Sequence, residues 1–303
     1  KKPKMFRSVN SMIQGLSAEG VVFSSSEQSH TGQYAPANAE WNYKDVPHLK
    51  EIHNQVEGIP GAITTDYWVG FFMQKIGPVQ VPITVFNYGA DPLSNVYFGA
   101  IGPFALIIST NWQDNGNSTT TVVTQYNLGS ARYLRWMHGI VHKVLARNYK
   151  VLMEADTPMR LRRGALRARG YKFAGDETGH GFIETINLQT VGVVPPPSAQ
   201  PFSWVSELEQ LPQGSTFVGT DDVGGVRVVR QQDKVLVFPR VCLHAGASLD
   251  DAKIEGDCII CPWHGRRIGP LANVVVGDVE TEFNASGISV QLDDTVKISG
   301  QLL

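Results

Sequence analysis

Two short segments near the end of the chain each combine a cysteine with a histidine. Cys242-Leu-His244 has the form Cys-x-His, and sixteen residues later Cys261-Pro-Trp-His264 has the form Cys-x-x-His. Two thiolates and two imidazoles can hold a tetrahedral zinc ion, or a two-iron two-sulfur cluster with the cysteines on one iron and the histidines on the other. Zinc fingers pair Cys with Cys and His with His along the chain. Here each loop supplies one of each, which favours the cluster.

The elements around these loops predict an α+β chain of two domains. The Pro-rich segment 192–201 predicts an extended linker between residues 1–191 and 202–303. Residues 202–303 contain short β-branched runs separated by Gly and Asp, which predicts a small all-β domain. Residues 1–191 mix strand-like runs at 81–87, 96–109 and 119–126 with helical spacing over 130–155.

Composition excludes several classes of protein. A hydrophobic content of 42% with 18% charged residues indicates a globular chain, and a net charge of -2 gives no basic surface for nucleic acid. The longest apolar run, 98–109, is interrupted by Gly102 and Pro103 and is shorter than the roughly 20 residues of a membrane span. Three clustered cysteines are too few for a disulfide framework and indicate a cofactor in a reducing compartment, so we expect a cytoplasmic protein.

The cysteine-histidine segments resemble the two loops of a Rieske domain, and the resemblance covers roughly the last 100 residues. It implies that Cys242, His244, Cys261 and His264 bind a 2Fe-2S cluster. Respiratory Rieske domains carry a further cysteine in each loop, forming a disulfide.

At the positions of those further cysteines this chain has Ala247 and Trp263, so the resemblance implies the low-potential class of oxygenases and ferredoxins. The remaining cysteine, Cys258, is predicted to be a buried strand residue with no role.

A second motif lies in the first domain, where the segment from Asp45 to His53 has the form Asp-x-x-His-x4-His. On a regular helix His48 and His53 would lie about 140° apart around the axis, so both can face one metal only if the helix is widened or interrupted between them. Without a metal, Asp45 would be an N-cap and Pro47 a first-turn proline.

This motif resembles the catalytic domain of Rieske non-haem iron oxygenases, in which a later carboxylate completes the site. Asp156 in Glu154-Ala-Asp156, expected just past the long helix, is the matching residue. The resemblance implies a mononuclear Fe(II) bound by His48, His53 and Asp156. It also implies that Asp45 is the bridging carboxylate that links His48 to a cluster histidine of an adjacent subunit.

The two motifs together resemble a terminal oxygenase component with reversed domain order, the catalytic domain first and the Rieske domain last. The resemblance implies a helix-grip-like first domain, a homotrimer, and a monooxygenase that uses O2 on a C-H bond. The outcome (hydroxylation, demethylation or desaturation) is left open. The substrate would be small and apolar, of polycyclic, steroid-like or terpenoid-like kind.

Electrons must come from separate proteins. The sequence has no Gly-x-Gly-x-x-Gly dinucleotide loop, and three cysteines cannot supply the four ligands of a plant-type ferredoxin cluster. We therefore expect NAD(P)H to act only indirectly, through a separate ferredoxin, flavin reductase or both.

Two alternatives predict different metal contents. A Rieske ferredoxin-like electron carrier fused to an iron-free lipid-binding-like domain would hold two irons per chain, whereas the oxygenase would hold about three. A structural zinc protein would be colourless.

Two further groups of residues have competing interpretations. His138 and His142 form an i,i+4 pair on the predicted helix, for which ordinary packing is favoured over metal binding. Six cations lie within thirteen residues after Asp156, and they predict either a solvated face or a docking patch for an acidic partner: Arg160, Arg162, Arg163, Arg167, Arg169 and Lys172.

Overall fold

The computed structural model describes residues 8–46, 48–53, 56–64, 66–76, 79–89, 93–173, 193–194, 201–207, 210–219, 225–232, 234–242, 244–275, 281–285, 288–292 and 295–301. These residues divide into two compact units, one formed by 8–161 and the other by 162–173 together with the described residues from 193 onward. Residues 195–200 of the predicted linker lie outside the described residues, so the predicted domain limits stay a prediction.

The first unit is a seven-stranded antiparallel sheet with helices. Its helices are α1 (Val9–Ala18), α2 (Pro36–Lys44), α3 (His48–Ile52) and the start of α4 (His138–Ala168). The strands, in sheet order β1-β7-β6-β5-β4-β3-β2, are β1 (Val22–Gly32), β2 (Val56–Ile63), β3 (Tyr67–Ile76), β4 (Val79–Tyr88), β5 (Ser94–Ile101), β6 (Phe104–Asp114) and β7 (Thr120–Ser130).

The long helix α4 packs on strands β6 and β7 of this sheet. Its buried residues Leu145, Tyr149 and Met153 recur every four positions and therefore share one face of the helix. That face packs against β6 and β7 through Phe104, Leu106, Tyr126 and Leu128. The predicted α+β class, with an antiparallel sheet plus helices in the first part of the chain, is confirmed. No helix among the described residues has the length and apolar character needed to cross a bilayer.

Two predicted elements differ from the structure. The run 96–109 forms two strands, β5 and β6, because Gly102 takes a positive φ of 55° and turns the chain before Phe104. The helix predicted over 130–155 begins with a 3₁₀ segment, Arg132–Met137, and continues as α4 to Ala168. Asp156 therefore lies inside the helix, and its predicted position past the helix end is wrong.

The second unit contains β-sheets, as predicted for the small domain. Strand order is β11-β12-β13-β17 in one four-stranded sheet, β10-β20-β19-β18 in another, and β14-β15-β16 in a third, with β8 pairing β9. The strands are β8 (Lys172–Phe173), β9 (Val193–Val194), β10 (Pro201–Glu207), β11 (Gly214–Val218), β12 (Val226–Gln231), β13 (Lys234–Pro239), β14 (Ile254–Glu255), β15 (Cys258–Ile260), β16 (Arg267–Ile268), β17 (Ala272–Val275), β18 (Thr281–Ala285), β19 (Ile288–Leu292) and β20 (Thr295–Gln301).

A chain of hydrogen bonds joins the start of α4 to β1 and β7. Ser130 Oγ donates to the carbonyl of Ala131, so it accepts from His138 Nε2 at 2.8 Å. His138 Nδ1 then accepts from Ser24 Oγ at 2.7 Å, and Ser24 Oγ accepts from His142 Nε2 at 2.8 Å.

The chain of hydrogen bonds ends at Ser26, whose Oγ donates to His142 Nδ1 at 2.7 Å. All four ring nitrogens of His138 and His142 are thus occupied by serines. This arrangement leaves no ring nitrogen of the pair available to a metal, and two neutral imidazoles satisfy every one of these hydrogen bonds.

The pKa values of both histidines are lowered. Burial lowers the pKa of His138, and Arg135 adds to the shift; burial and the neighbouring His138 lower the pKa of His142. The folded state therefore binds a proton at each histidine less readily than the unfolded chain does. The contribution of the neutral histidines to stability is complete at pH values above their ordinary pKa of 6.5. That contribution declines as the pH falls below this value.

We predict that replacing both histidines (His138→Gln with His142→Gln) reduces the loss of unfolding free energy between pH 7 and pH 5. Urea unfolding at several pH values gives the unfolding free energy of the wild type and the double variant at each pH. Lys143→Gln, an exposed change on the same helix, should leave the wild-type pH dependence intact. Equal slopes in the wild type and the double variant would show that these histidines do not cause the dependence.

Candidate metal centres and the apolar cavity

The segment that carries the first two candidate ligands is an interrupted helix. α2 ends at Lys44, where the amide of Asp45 still donates to the Trp41 carbonyl at 2.9 Å. Pro47 lies outside the described residues, but a proline disfavours helical backbone at the residue before it. α3 then begins at His48 and ends one residue before His53. The break is therefore placed before His48, and the end of α3 frees His53 to turn toward the same point.

The structure brings the three predicted iron ligands together. Asp156 Oδ1 lies 3.5 Å from His48 Nε2 and 3.1 Å from His53 Nε2. One ligand atom from each residue falls within 4.8 Å of the others, and all three residues are buried. That they bind iron stays a prediction.

His48 is oriented by Asp45. Its Nδ1 donates to the backbone carbonyl of Asp45 and lies 3.8 Å from the Oδ2 of the same residue. A proton on Nδ1 leaves the lone pair of Nε2 directed at Asp156, which is the tautomer that a metal requires. Asp45 is 1% exposed. Its predicted role as a bridge to another subunit stays a prediction.

Arg160 positions the other oxygen of Asp156. Arg160 Nη2 lies 3.2 Å from Asp156 Oδ2, four residues earlier on α4. The guanidinium is fully buried, donates to Asn42 Oδ1 from Nε at 2.8 Å and from Nη2 at 2.6 Å, and lies 5.0 Å above the ring centre of Tyr43. With Oδ2 engaged, Oδ1 is the oxygen that faces the two histidines.

The electrostatics keep Asp156 ionised. Burial by itself would raise the pKa of the Asp156 carboxyl, but His48, His53 and the Arg160 guanidinium outweigh burial and hold the pKa well below its usual range. Burial would likewise lower the pKa of His48, and the carboxylates of Asp156 and Asp45 raise it instead. The site therefore attracts positive charge.

The residues present fit a metal ion. His48 Nε2 and Asp156 Oδ1 are buried and have no hydrogen-bond partner among the residues that the structure describes. Buried polar atoms without partners are rare, and a bound cation would satisfy both at once. Two imidazoles and one carboxylate are the donor set of mononuclear Fe(II) sites with open coordination positions.

A cavity of about 470 Å³ lies beside this site in the first unit. Leu49, next to His48 in the chain, and Tyr43, which packs on Arg160, both line it. Most of its wall is apolar and comes from the sheet and α4: Trp68, Val81, Ile83, Val85, Phe98, Ile101, Phe104, Leu106, Ile108, Ile140, Val141, Val144, Leu145 and Leu152.

The two cysteine-histidine loops of the second unit have the same backbone hydrogen bonds. The Cys242 amide donates to the Ala247 carbonyl and the Cys261 amide to the Arg266 carbonyl, each at 2.8 Å. The Gly246 amide donates to the Cys242 carbonyl at 2.8 Å, and the Gly265 amide to the Cys261 carbonyl at 2.9 Å.

Both glycines have positive φ, 91° for Gly246 and 61° for Gly265. Each loop needs a left-handed residue at the same position, and glycine takes it without strain.

These loops bring the four predicted cluster ligands together. The His244 and His264 rings lie 4.8 Å apart, with 3.2 Å between their Nδ1 atoms. Cys242 and Cys261 are buried free thiols. The hydrogen bond between them lowers the pKa of Cys242 to about 6 and, with burial, raises the pKa of Cys261.

The four ligands form two like pairs. The Cys242 and Cys261 thiols hydrogen-bond each other, and the His244 and His264 imidazoles lie side by side. This pairing fits a two-iron cluster with the cysteines on one iron and the histidines on the other. Cys258 lies in β15 as predicted, although it is half-buried rather than buried.

Part of the predicted cationic run contacts the first loop. Within the second unit, Arg162 Nε donates to the Gly246 carbonyl at 2.6 Å, and Arg163 Nη1 donates to the Ala245 carbonyl at 3.4 Å. Arg163 is buried and Arg162 is half-buried. With Arg160 also buried, three of the six cations have internal partners, so the interpretation of the run as one solvated face is wrong.

Arg160 belongs to the site although it was not expected there from the sequence. The available signal was its spacing, since Asp156 and Arg160 are an i,i+4 pair on a helix. The loop contacts of Arg162 and Arg163 have no local signal, because their partners lie more than eighty residues away in the chain.

Comparisons with known proteins identify one part of the chain. The Rieske [2Fe-2S] domain family matches residues 202–282, and no curated protein sequence matches the chain. Similar solved structures include Zhui aromatase/cyclase from a Streptomyces species, R1128 (12% identity, 47% of this chain and 96% of that one, TM-score 0.43). Norcoclaurine synthase from Thalictrum flavum (8%, 53% and 96%, 0.39) and a START superfamily protein from Mycobacterium smegmatis (7%, 46% and 97%, 0.37) are also similar.

With TM-scores below 0.5, these likenesses carry no argument about activity. The family match is specific, and it contains both cysteine-histidine loops. Residues 202–282 of this chain are a Rieske [2Fe-2S] domain.

Proposed function

We propose that the chain is a Rieske-type oxygenase. It uses O2 and electrons from a separate donor to oxidise a C-H bond of an apolar substrate. The observation that carries the proposal is the convergence of His48, His53 and Asp156 beside an apolar cavity, in a chain that also has a Rieske domain.

Each group has a distinct part in this proposal. A mononuclear Fe(II) would supply oxygen activation and a 2Fe-2S cluster would supply one-electron transfer. His48, His53 and Asp156 would hold the ferrous ion, while Cys242, His244, Cys261 and His264 would hold the cluster.

The protein's own groups prepare the mononuclear site. The Asp45 carbonyl keeps the proton of His48 on Nδ1, and Arg160 holds Asp156 Oδ2, so both ligand atoms are aimed before any metal binds. The apolar wall next to Leu49 excludes water from the oxidised carbon, which suits a polycyclic, steroid-like or terpenoid-like substrate.

The proposal extends to the redox partners and the assembly. Electrons would pass from NAD(P)H through a separate flavin reductase, with or without a ferredoxin, in the reducing cytoplasm. The functional unit would be a homotrimer in which Asp45 links His48 to a neighbour's cluster histidine.

We predict that the purified wild-type chain contains about three iron atoms and that His48→Ala loses one of them. The variant should keep the visible absorption of the cluster, because its ligands are elsewhere in the chain. Iron analysis with an absorption spectrum measures both quantities. His142→Ala is the matched control, since its imidazole already bonds two serines.

A wild-type iron content of two per chain, unchanged by His48→Ala, would instead support an electron carrier whose first domain has no iron.

We also predict that Cys261→Ser abolishes the visible absorption, whereas Cys258→Ser retains it. Cys261 is buried in the second loop, where its thiol hydrogen-bonds the Cys242 thiol, while Cys258 is a strand residue outside both loops. The same iron and absorption measurements apply. If Cys261→Ser kept its colour, the assignment of the cluster ligands would be wrong.

A further inference from the structure

The wall of the cavity contains several hydroxyl groups and no charge. Thr110 and Thr124 pair across β6 and β7, with 3.1 Å between their Oγ1 atoms. Tyr97, Tyr126 and Tyr149 also line the cavity. Among the described residues that line it, none is Asp, Glu, Lys, Arg or His.

The Tyr149 hydroxyl makes no hydrogen bond of standard geometry with the described residues, although the residue is only 6% exposed. Leu145 and Met153 on the same helix and Phe104 and Leu106 of β6 are apolar. Thr124 lies close enough to offset a small part of the effect of burial on the Tyr149 pKa. Burial raises the pKa of Tyr149, so the phenol keeps its proton at neutral pH. Burial removes the hydrogen bonds that this hydroxyl makes to water in the unfolded chain, and a ligand with a hydrogen-bond acceptor would restore one of them.

We propose that the cavity selects an uncharged, largely apolar substrate that carries a hydroxyl or carbonyl oxygen, and that Tyr149 binds this oxygen. The inference rests on the proposed function in one respect: it takes the ligand that binds in the cavity to be the substrate of the oxygenase. Anionic ligands are disfavoured because a carboxylate or phosphate would be buried with no cationic side chain to pair with it. Because the Tyr149 hydroxyl would be left without an acceptor, the site also discriminates against analogues that lack the oxygen.

Three rigid tricyclic probes test this selection in the full, iron-loaded chain: phenanthrene, 9-phenanthrol and phenanthrene-9-carboxylate. Equilibrium dialysis gives a Kd for each. We expect 9-phenanthrol to bind about tenfold more tightly than phenanthrene, the effect of one hydrogen bond, and the carboxylate to bind most weakly. Tyr149→Phe should bring the two neutral probes to nearly equal affinity. Tyr133→Phe, which removes a hydroxyl from a residue that is 77% exposed, should keep the tenfold ratio.

The affinity for phenanthrene is the internal control, because an unchanged value in Tyr149→Phe shows that the cavity is intact. Equal binding of the two neutral probes to the wild type, a preference that survives Tyr149→Phe, preferred binding of the carboxylate, or no binding of any probe would each overturn the proposal. The His48→Ala variant separates this inference from the oxygenase proposal. If the wild type holds two irons, His48→Ala does not change that number, and the wild type still prefers 9-phenanthrol, the oxygenase is refuted and the selection by Tyr149 stands.

Discussion

The candidate mononuclear site depends on the buried carboxylate of Asp156. One of its oxygens lies between two imidazole nitrogens, and the other is held by Arg160. A carboxylate can be buried only when its charge is compensated, and Arg160 is fixed in turn by Asn42. Because Arg160 restrains the oxygen that a metal would not use, the remaining oxygen is aimed at the histidines without any ligand being present.

The helix α4 supplies this carboxylate as part of a continuous buried stripe. Leu145, Tyr149 and Met153 are followed at helical spacing by Asp156 and Arg160, so the buried face changes from apolar to charged along the axis. The apolar part lines the cavity and the charged part forms the metal site.

Pro158 does not end the helix. Pro158 is exposed on the side of α4 opposite the buried stripe. Because proline has no N–H, the carbonyl of Glu154, four residues earlier, lacks its helical hydrogen bond. Glu154 is exposed too, so water can solvate that carbonyl.

Spacing along the chain was enough to predict the features that are local. The two cluster loops, each with glycine four residues after its cysteine, could be recognised because the backbone bonds that close them lie within each loop. The end of α3 at Ile52, one residue before His53, agrees with the same local reasoning, since two histidines five residues apart cannot face one point on an unbroken helix.

The features that were missed involve partners far apart in sequence. Asp156 was expected just past the helix, yet its side chain faces inward, and the helix continues through Pro158, which faces solvent. The serines that occupy His138 and His142 come mostly from β1, more than a hundred residues earlier. No periodicity in α4 could have indicated them.

The charges buried around the triad give a physical reason for a cation there. Glu40 and Lys44 form a buried ion pair at 2.7 Å and compensate each other. Of the other described charges buried around the triad, Asp45 and Asp156 face the guanidinium of Arg160, so neutral histidines leave one negative charge in excess among these groups. The raised pKa of His48 has the same origin, since a proton there restores the balance. A divalent ion at Nε2 would take the place of that proton, so the groups that favour protonation in its absence also favour metal binding.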